Sequence, residues 1–222
     1  MKIHFSTSGH DEAKLRFARL TERYGQHPIE DADCIVALGG DGHMLHVLHE
    51  TLQHDLPVFG MNCGRLGFLM NHFASDELVE RIESAETAPI HPLRMSVSCA
   101  DNSRHEELVC DGILLATPVG STAYNLSAHG PVVPLGAGLL ALTPISPFRP
   151  RRWRGALLGE TAKVCLSVLE PDFRPVSASA DSTEYRKVRL VEIKQASNIT
   201  LRLLYDPGYS LTDRAIAEQF LF

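Results

Sequence analysis

An aspartate stands among three glycines at Gly39-Gly40-Asp41-Gly42, directly after the apolar run Cys34–Leu38. So many missing side chains in one place let another molecule approach the backbone closely. If a helix begins there, its free N–H groups favour a phosphate. A carboxylate beside a phosphate is repelled, so its presence needs a reason. It could bind a metal, accept a sugar hydroxyl, or take a proton from one. A tight turn in which Asp41 merely caps the helix is the alternative, and the four residues alone leave both open.

A second group lies in Cys110–Pro131, "CDGILLATPVGSTAYNLSAHGP". A strand is expected to end at Thr117-Pro118, and a polar turn follows. Thr122, Tyr124, Asn125 and Ser127 crowd into that turn. Tyr124 offers a stacking face and the others offer hydrogen bonds, which suits a base and a ribose. The competing reading is a turn into a helix with Ser121 or Thr122 as its N-cap.

Two further groups carry less. His43, His46 and His49 recur every three residues, but on a helix such steps drift by about 60° each, so the three do not converge. A structural zinc site needs about four ligands, and no metal site is expected. The stretch "FRPRRWRG" (Phe148–Gly155) holds four arginines and the only tryptophan. It suits donor phosphates or surface pairing with acids, and the second reading is favoured. No Gly-x-x-x-x-Gly-Lys-Ser/Thr loop is present, which excludes a P-loop NTPase.

The elements that must position these groups alternate over the first 90 residues. "KIHF" is strand-like, and "DEAKLRFARLTERYG" has helical spacing with Gly25 as its stop. "CIVALGG" reads as a strand buried on both faces. "HMLHVLHETLQH" is helical, "LPVFGM" is a strand, and "SDELVERIESAE" is a helix with Ser75 as its expected N-cap. This order predicts an α/β domain with an open, mostly parallel sheet over residues 1–90, where ligands bind beyond the carboxyl ends of the strands. After "APIHP" the runs become short and alternating, which predicts a β-rich, sandwich-like second domain over 91–206. The last stretch, "LTDRAIAEQFL", is helical with Thr212 as N-cap. It defines a C-terminal helix in 207–222 that returns to the first domain.

The net charge of −6 argues against nucleic acid as a partner. No apolar run approaches the ~20 residues of a membrane span, and the first residues lack the apolar core of a signal peptide. No membrane partner is expected. The five cysteines stand singly, without a CxxC pair, as in a reducing compartment. A cytoplasmic enzyme is the expectation.

Taken together, "GGDG" (Gly39–Gly42), "GMNCGRLGFL" (Gly60–Leu69), "DGILLATPVGSTAYNLSAHGP" (Asp111–Pro131) and "LTPISPFRPRRW" (Leu142–Trp153) resemble the NAD kinase family, in the right order and over most of the chain. Gly-Gly-Asp-Gly alone also occurs in lipid kinases and phosphofructokinases. Thr-Pro-x-Gly-Ser-Thr-Ala-Tyr-Asn is far more specific. The resemblance implies an ATP-dependent kinase that phosphorylates the adenosine 2′-hydroxyl of NAD to make NADP, with Mg²⁺ arriving on ATP. Asp41 matches the family's general base, and Gly42 matches its dinucleotide-contacting glycine. Asp111 and the run Thr122, Ala123, Tyr124, Asn125, Leu126 and Ser127 match its NAD-binding segments. Val119 and His46 match positions beside the nucleotide. Relatives are commonly homodimers or homotetramers.

One departure is large. The family's Asn-Glu dipeptide, whose side chains grip ribose, occurs nowhere here. Around Ser103-Arg104 the chain is roughly 25–35 residues shorter than the family pattern, enough for one or two strands of about 5–6 residues with their turns. Either the segment is deleted or it is absent from the sequence given. The second is favoured, because losing core strands exposes a sheet interior. The rival functions are a catalytically weak or silent dinucleotide-binding homologue and a lipid kinase of the diacylglycerol kinase type.

Overall fold

The computed structural model describes residues 1–64, 67–97, 106–181 and 183–208. The chain forms two compact units, one from Met1–Ile90 together with the chain from Ile199, the other from His91–Asn198.

The first unit is built on a five-stranded sheet. Strands β1 (Ile3–Thr7), β2 (Cys34–Gly39), β3 (Val58–Asn62) and β13 (Leu201–Tyr205) run parallel in that order, and β4 (Glu86–Ile90) closes the edge antiparallel to β13. All six residues of β2 are buried, as its unbroken apolar run demands of a central strand. Helix α1 (Asp11–Tyr24) buries Ala13 and Leu20 and stops at Gly25, whose φ is 78°. Helix α2 (Asp41–Glu50) buries Met44, Val47 and Leu48. The core gathers Ile3, Phe5, Leu20, Val36, Leu38, Phe59, Met61 and Leu78.

Three sequence expectations shift here. The strand in "ITLRLLYD", read as part of the second domain, is β13 and pairs with β3 and β4 in the first sheet. Helix α3 (Leu78–Glu83) starts later than expected, with Glu77 at φ 54° in the N-cap position in place of Ser75. Ser75 is buried instead, and its carbonyl accepts from the Tyr24 hydroxyl at 2.9 Å. The expected C-terminal helix falls outside the described residues from 209 onward.

The second unit is antiparallel. Strands β5 (Leu93–Val97), β12 (Leu190–Gln195) and β9 (Lys163–Ser167) form one sheet with β12 central, and β6 (Gly112–Ala116), β7 (Leu139–Ile145) and β8 (Ala156–Gly159) form another with β7 central. β10 (Val176–Ala180) and β11 (Thr183–Val188) pair as a two-stranded ribbon. A short helix, α4 (Tyr124–Ser127), lies between β6 and β7.

One buried residue ties the loop after β3 to the first sheet. Asn71 is fully buried. Its amide donates to the Gly60 carbonyl at 2.8 Å, and its carbonyl accepts from the Asn62 amide at 2.8 Å. Its side chain donates to the Leu204 carbonyl at 3.1 Å and accepts from the Asp206 amide at 3.0 Å. Asn71→Ala removes these partners from the Leu204 carbonyl and the Asp206 amide, at about 1–3 kcal/mol. We expect a lower urea midpoint with an unchanged m-value. An unaltered midpoint would show that the two side-chain bonds are dispensable.

Candidate active site

Asp41 opens helix α2 at the carboxyl end of β2, the edge where parallel α/β sheets take their ligands. Gly40 occupies the N-cap position and provides no side-chain bond. The Asp41 carboxylate reaches across to the loop after β3. Its Oδ2 accepts from the Phe68 amide at 2.8 Å and its Oδ1 from the Leu69 amide at 2.9 Å.

The glycines around it divide into two kinds. A Cβ on Gly39 would crowd His43 and Ser8, and one on Gly60 would run into Met44 and Met70. Packing accounts for both. Among the described residues, a Cβ on Gly40 or Gly42 would meet nothing within 4 Å, and neither has a positive φ. The described residues therefore give no packing reason for glycine at these two positions.

The histidines of α2 have separate surroundings. His43 is half-buried, and its Nε2 lies 3.2 Å from Ser6 Oγ. Burial is the main influence lowering its pKa below the usual histidine value, so the ring is held towards its neutral form. His46 is exposed and faces Glu50 at 3.2 Å. Its ring centroid lies 6.4 Å from that of His43. Among the described residues, no three His, Cys, Asp or Glu side chains come together as a metal site.

The second unit carries the other predicted residues. Asp111 and Ala123, Tyr124 and Ser127 are exposed, Thr122 and Leu126 are half-buried, and Val119 is buried. Neither Ser121 nor Thr122 caps α4, whose N-cap position is Ala123. Ser121 Oγ donates to the Pro118 carbonyl at 2.6 Å and accepts from the Val133 amide at 2.9 Å. Thr122 Oγ1 donates to the Val119 carbonyl at 3.1 Å.

Asn125 is buried, and its amide is committed to the protein. Nδ2 donates to the carbonyls of Ser121 and Pro131 at 3.1 and 2.9 Å, and Oδ1 accepts from Thr143 Oγ1 at 2.7 Å. The side chain thus fastens both ends of the turn to each other and to β7. Thr143, Asn71 and the amides of Phe68 and Leu69 are participants that sequence reasoning did not single out. A main-chain donor leaves no mark on residue type, and the partners of Asp41 lie 27 and 28 residues further along the chain.

Two protein families match the chain. The ATP-NAD kinase N-terminal domain family matches residues 2–86, and the ATP-NAD kinase C-terminal domain family matches residues 82–165. Proteins named NAD kinase from Hyphomonas neptunium and Caulobacter vibrioides are each 47% identical, covering 100% and 99% of this chain and 99% and 96% of their own. The first alignment runs over 252 positions against a chain of 222, so at least 30 positions of that relative have no counterpart here. Two solved structures share the fold. One is an NAD kinase from Archaeoglobus fulgidus in complex with ATP, with a TM-score of 0.73 at 22% identity and 98% coverage of both chains. The other is a yeast NADH kinase complexed with NADH, with a TM-score of 0.78 at 18% identity, covering 98% of this chain and 86% of the yeast chain.

The Asn125 fastening carries a prediction of its own. A Cβ on Gly130 would lie inside Asn125 Oδ1 and Thr143 Oγ1, so Gly130→Ala must force the two apart. Overpacking of this kind costs about 1–3 kcal/mol. Chemical denaturation should show a loss of that size. A wild-type midpoint would mean that the turn has room the geometry denies.

Proposed function

The chain belongs to the NAD kinase family, and we infer on that premise that it is an ATP-dependent NAD kinase, transferring the terminal phosphate of ATP to the adenosine 2′-hydroxyl of NAD to make NADP. The observation that carries the reading from family to site is the bare main chain at Gly40 and Gly42 beside the Asp41 carboxylate. A dinucleotide can lie against that backbone where any side chain would stand in its way.

In this reading Asp41 is the general base. It orients the 2′-oxygen beforehand and accepts its proton as that oxygen attacks the terminal phosphorus, whose bond to the bridging oxygen breaks to release ADP. Phosphoryl transfer depends chiefly on such positioning and on charge neutralisation. Mg²⁺ enters as part of the donor substrate, held by the ATP phosphates and water. Gly42 and His46 lie on the same helix as the base and are assigned to the dinucleotide with it. In the second unit Asp111, Ala123, Tyr124 and Ser127, which are exposed, are assigned to NAD together with half-buried Thr122 and Leu126 and buried Val119. Asn125 serves the same turn from inside, through its bonds to Ser121, Pro131 and Thr143.

A homodimer or homotetramer is proposed as the working form. The β10–β11 ribbon supports it, because an isolated two-stranded pair is marginal in water and this one carries exposed Val176 and Tyr185. A cytoplasmic location is proposed as well. Cys34, Cys63, Cys110 and Cys165 are all free thiols, as a reducing compartment keeps them. The lipid kinase and silent-homologue readings are not favoured, since the family match spans both parts of the chain.

Asp41→Asn should lower the rate of NADP formation about 10²–10⁴-fold, with a modest fall in melting temperature because the new amide group can accept from only one of the Phe68 and Leu69 amides. An enzyme-coupled NADP assay measures this, and near-normal turnover removes Asp41 from the role of base.

Gly42→Ala separates ligand space from fold. Alanine is favoured over glycine in a helix by up to about 1 kcal/mol, and the added methyl meets no atom of the described residues within 4 Å. The variant should be at least as stable as wild type and yet show a raised KM for NAD. An unchanged KM would mean that the dinucleotide keeps clear of this residue.

A further inference from the structure

We propose that the consecutive main-chain amides of Phe68 and Leu69 are the positioning device for the Asp41 carboxylate, with Gly67 as the residue that lets them close on it. The proposal rests on the reading of Asp41 as the base.

The two bonds divide the work. The Phe68 amide holds Oδ2 at 2.8 Å and the Leu69 amide holds Oδ1 at 2.9 Å. A single donor would leave the carboxylate free to swing about that bond. One donor on each oxygen fixes both the position and the rotation of the carboxylate plane. Each oxygen has two acceptor sites, so one such bond to each oxygen does not use up its accepting capacity. Peptide N–H groups cannot rotate away or lose their protons as side-chain donors can. Donors fixed in advance need no reorganisation during the reaction.

The donors are themselves fixed to the sheet. Leu69 and Met70 are buried, and Asn71 next to them bonds to the main chain at Gly60 and Asn62 in β3, at Leu204 in β13 and at Asp206 just beyond it. The carboxylate is therefore referenced to the parallel sheet through the loop after β3 as well as through its own helix. Gly67 sets how closely the loop can approach. A Cβ there would lie 3.4 Å from Asp41 Oδ1 and 3.1 Å from both Cβ and Cγ of Met70. Met70 is 2% exposed and has little room to retreat, so the added methyl would shift the loop or the carboxylate.

Two substitutions test the device in the intact protein. Phe68→Pro deletes the donor to Oδ2, because proline has no N–H. Gly67→Ala displaces the loop and serves as the second variant should the proline impair folding. Misplacing a reacting group by about 1 Å costs up to about 10²-fold in rate. We expect kcat to fall about 10–100-fold, with the KM values for NAD and ATP within twofold of wild type, while the protein still melts cooperatively at a modestly lower temperature as the loop repacks around Met70. In an Asp41→Ala background the same substitutions should cause no further loss, since the carboxylate they act through is gone.

Wild-type kcat in folded Gly67→Ala overturns the proposal. So does an equal fold-loss with and without Asp41, which would assign the effect to the fold. If Asp41→Ala alone turns over normally, the reading of Asp41 as base fails, and the positioning device falls with it for that separate reason.

Discussion

The first unit depends on satisfying one buried amide. Asn71 carries four polar groups into a place that water does not reach, and such groups are costly unless paired. The pairing joins elements far apart in sequence: Gly60 and Asn62 in β3, Leu204 in β13, and Asp206 beyond it. Once Asn71 is seated, the path of residues 67–70 is constrained, and with it the direction of the Phe68 and Leu69 amides. Arg81 secures the far side of the same segment. Its guanidinium pairs with Asp206 at 2.6 Å and donates to the carbonyls of His72 and Ala74. That ion pair is mostly shielded on both partners, so solvent screens it less than an exposed surface pair.

The second unit solves a similar problem with the same residue type. The turn over 117–131 must expose Ala123, Tyr124 and Ser127 while keeping one conformation, and a four-residue helix cannot do that alone. Asn125 points inward between exposed neighbours and joins the turn's two ends to β7 through Thr143. Ser121 adds a second inward tie, from Pro118 to Val133. Residues of this turn thus split into outward, exposed groups and inward groups that hold the turn. Their types do not reveal which is which.

That division sets how much the sequence could disclose. The order β1, α1, β2, α2, β3 was legible because each element has its own periodicity, and β2 announced its burial by an unbroken apolar run. The second unit's β character was legible from short alternating runs. The place of β13 was not, because "ITLRLLYD" looks the same whether its partners come from 58–62 and 86–90 or from the second unit. Pairing is a long-range choice with no local signature. The start of α3 was misplaced because Ser75 is a good N-cap by type, yet its burial under Tyr24 moves the first turn on to Leu78. At the site, Asp41 and the Tyr124 turn stood out by composition. Asn125 also stood out, but nothing local distinguishes a ligand-facing amide from one bonded to Thr143. The donors to Asp41 were invisible, since every residue except proline has the same N–H.

Glycine is where sequence and structure inform each other most. Density alone made Gly39–Gly42 conspicuous without saying which glycine mattered, and the surroundings sort them. Gly39 yields to His43 and Ser8, and Gly60 yields to Met44 and Met70. These are packing requirements that any enzyme on this sheet would have to meet. Gly40 and Gly42 answer to no neighbour among the described residues. Gly42 sits in the first turn of a helix, where glycine costs up to about 1 kcal/mol relative to alanine. The proposed function gives that space a use: a nucleotide lies against the main chain within reach of the Asp41 carboxylate, where helix N–H groups suit its phosphate and the carboxylate suits its hydroxyl.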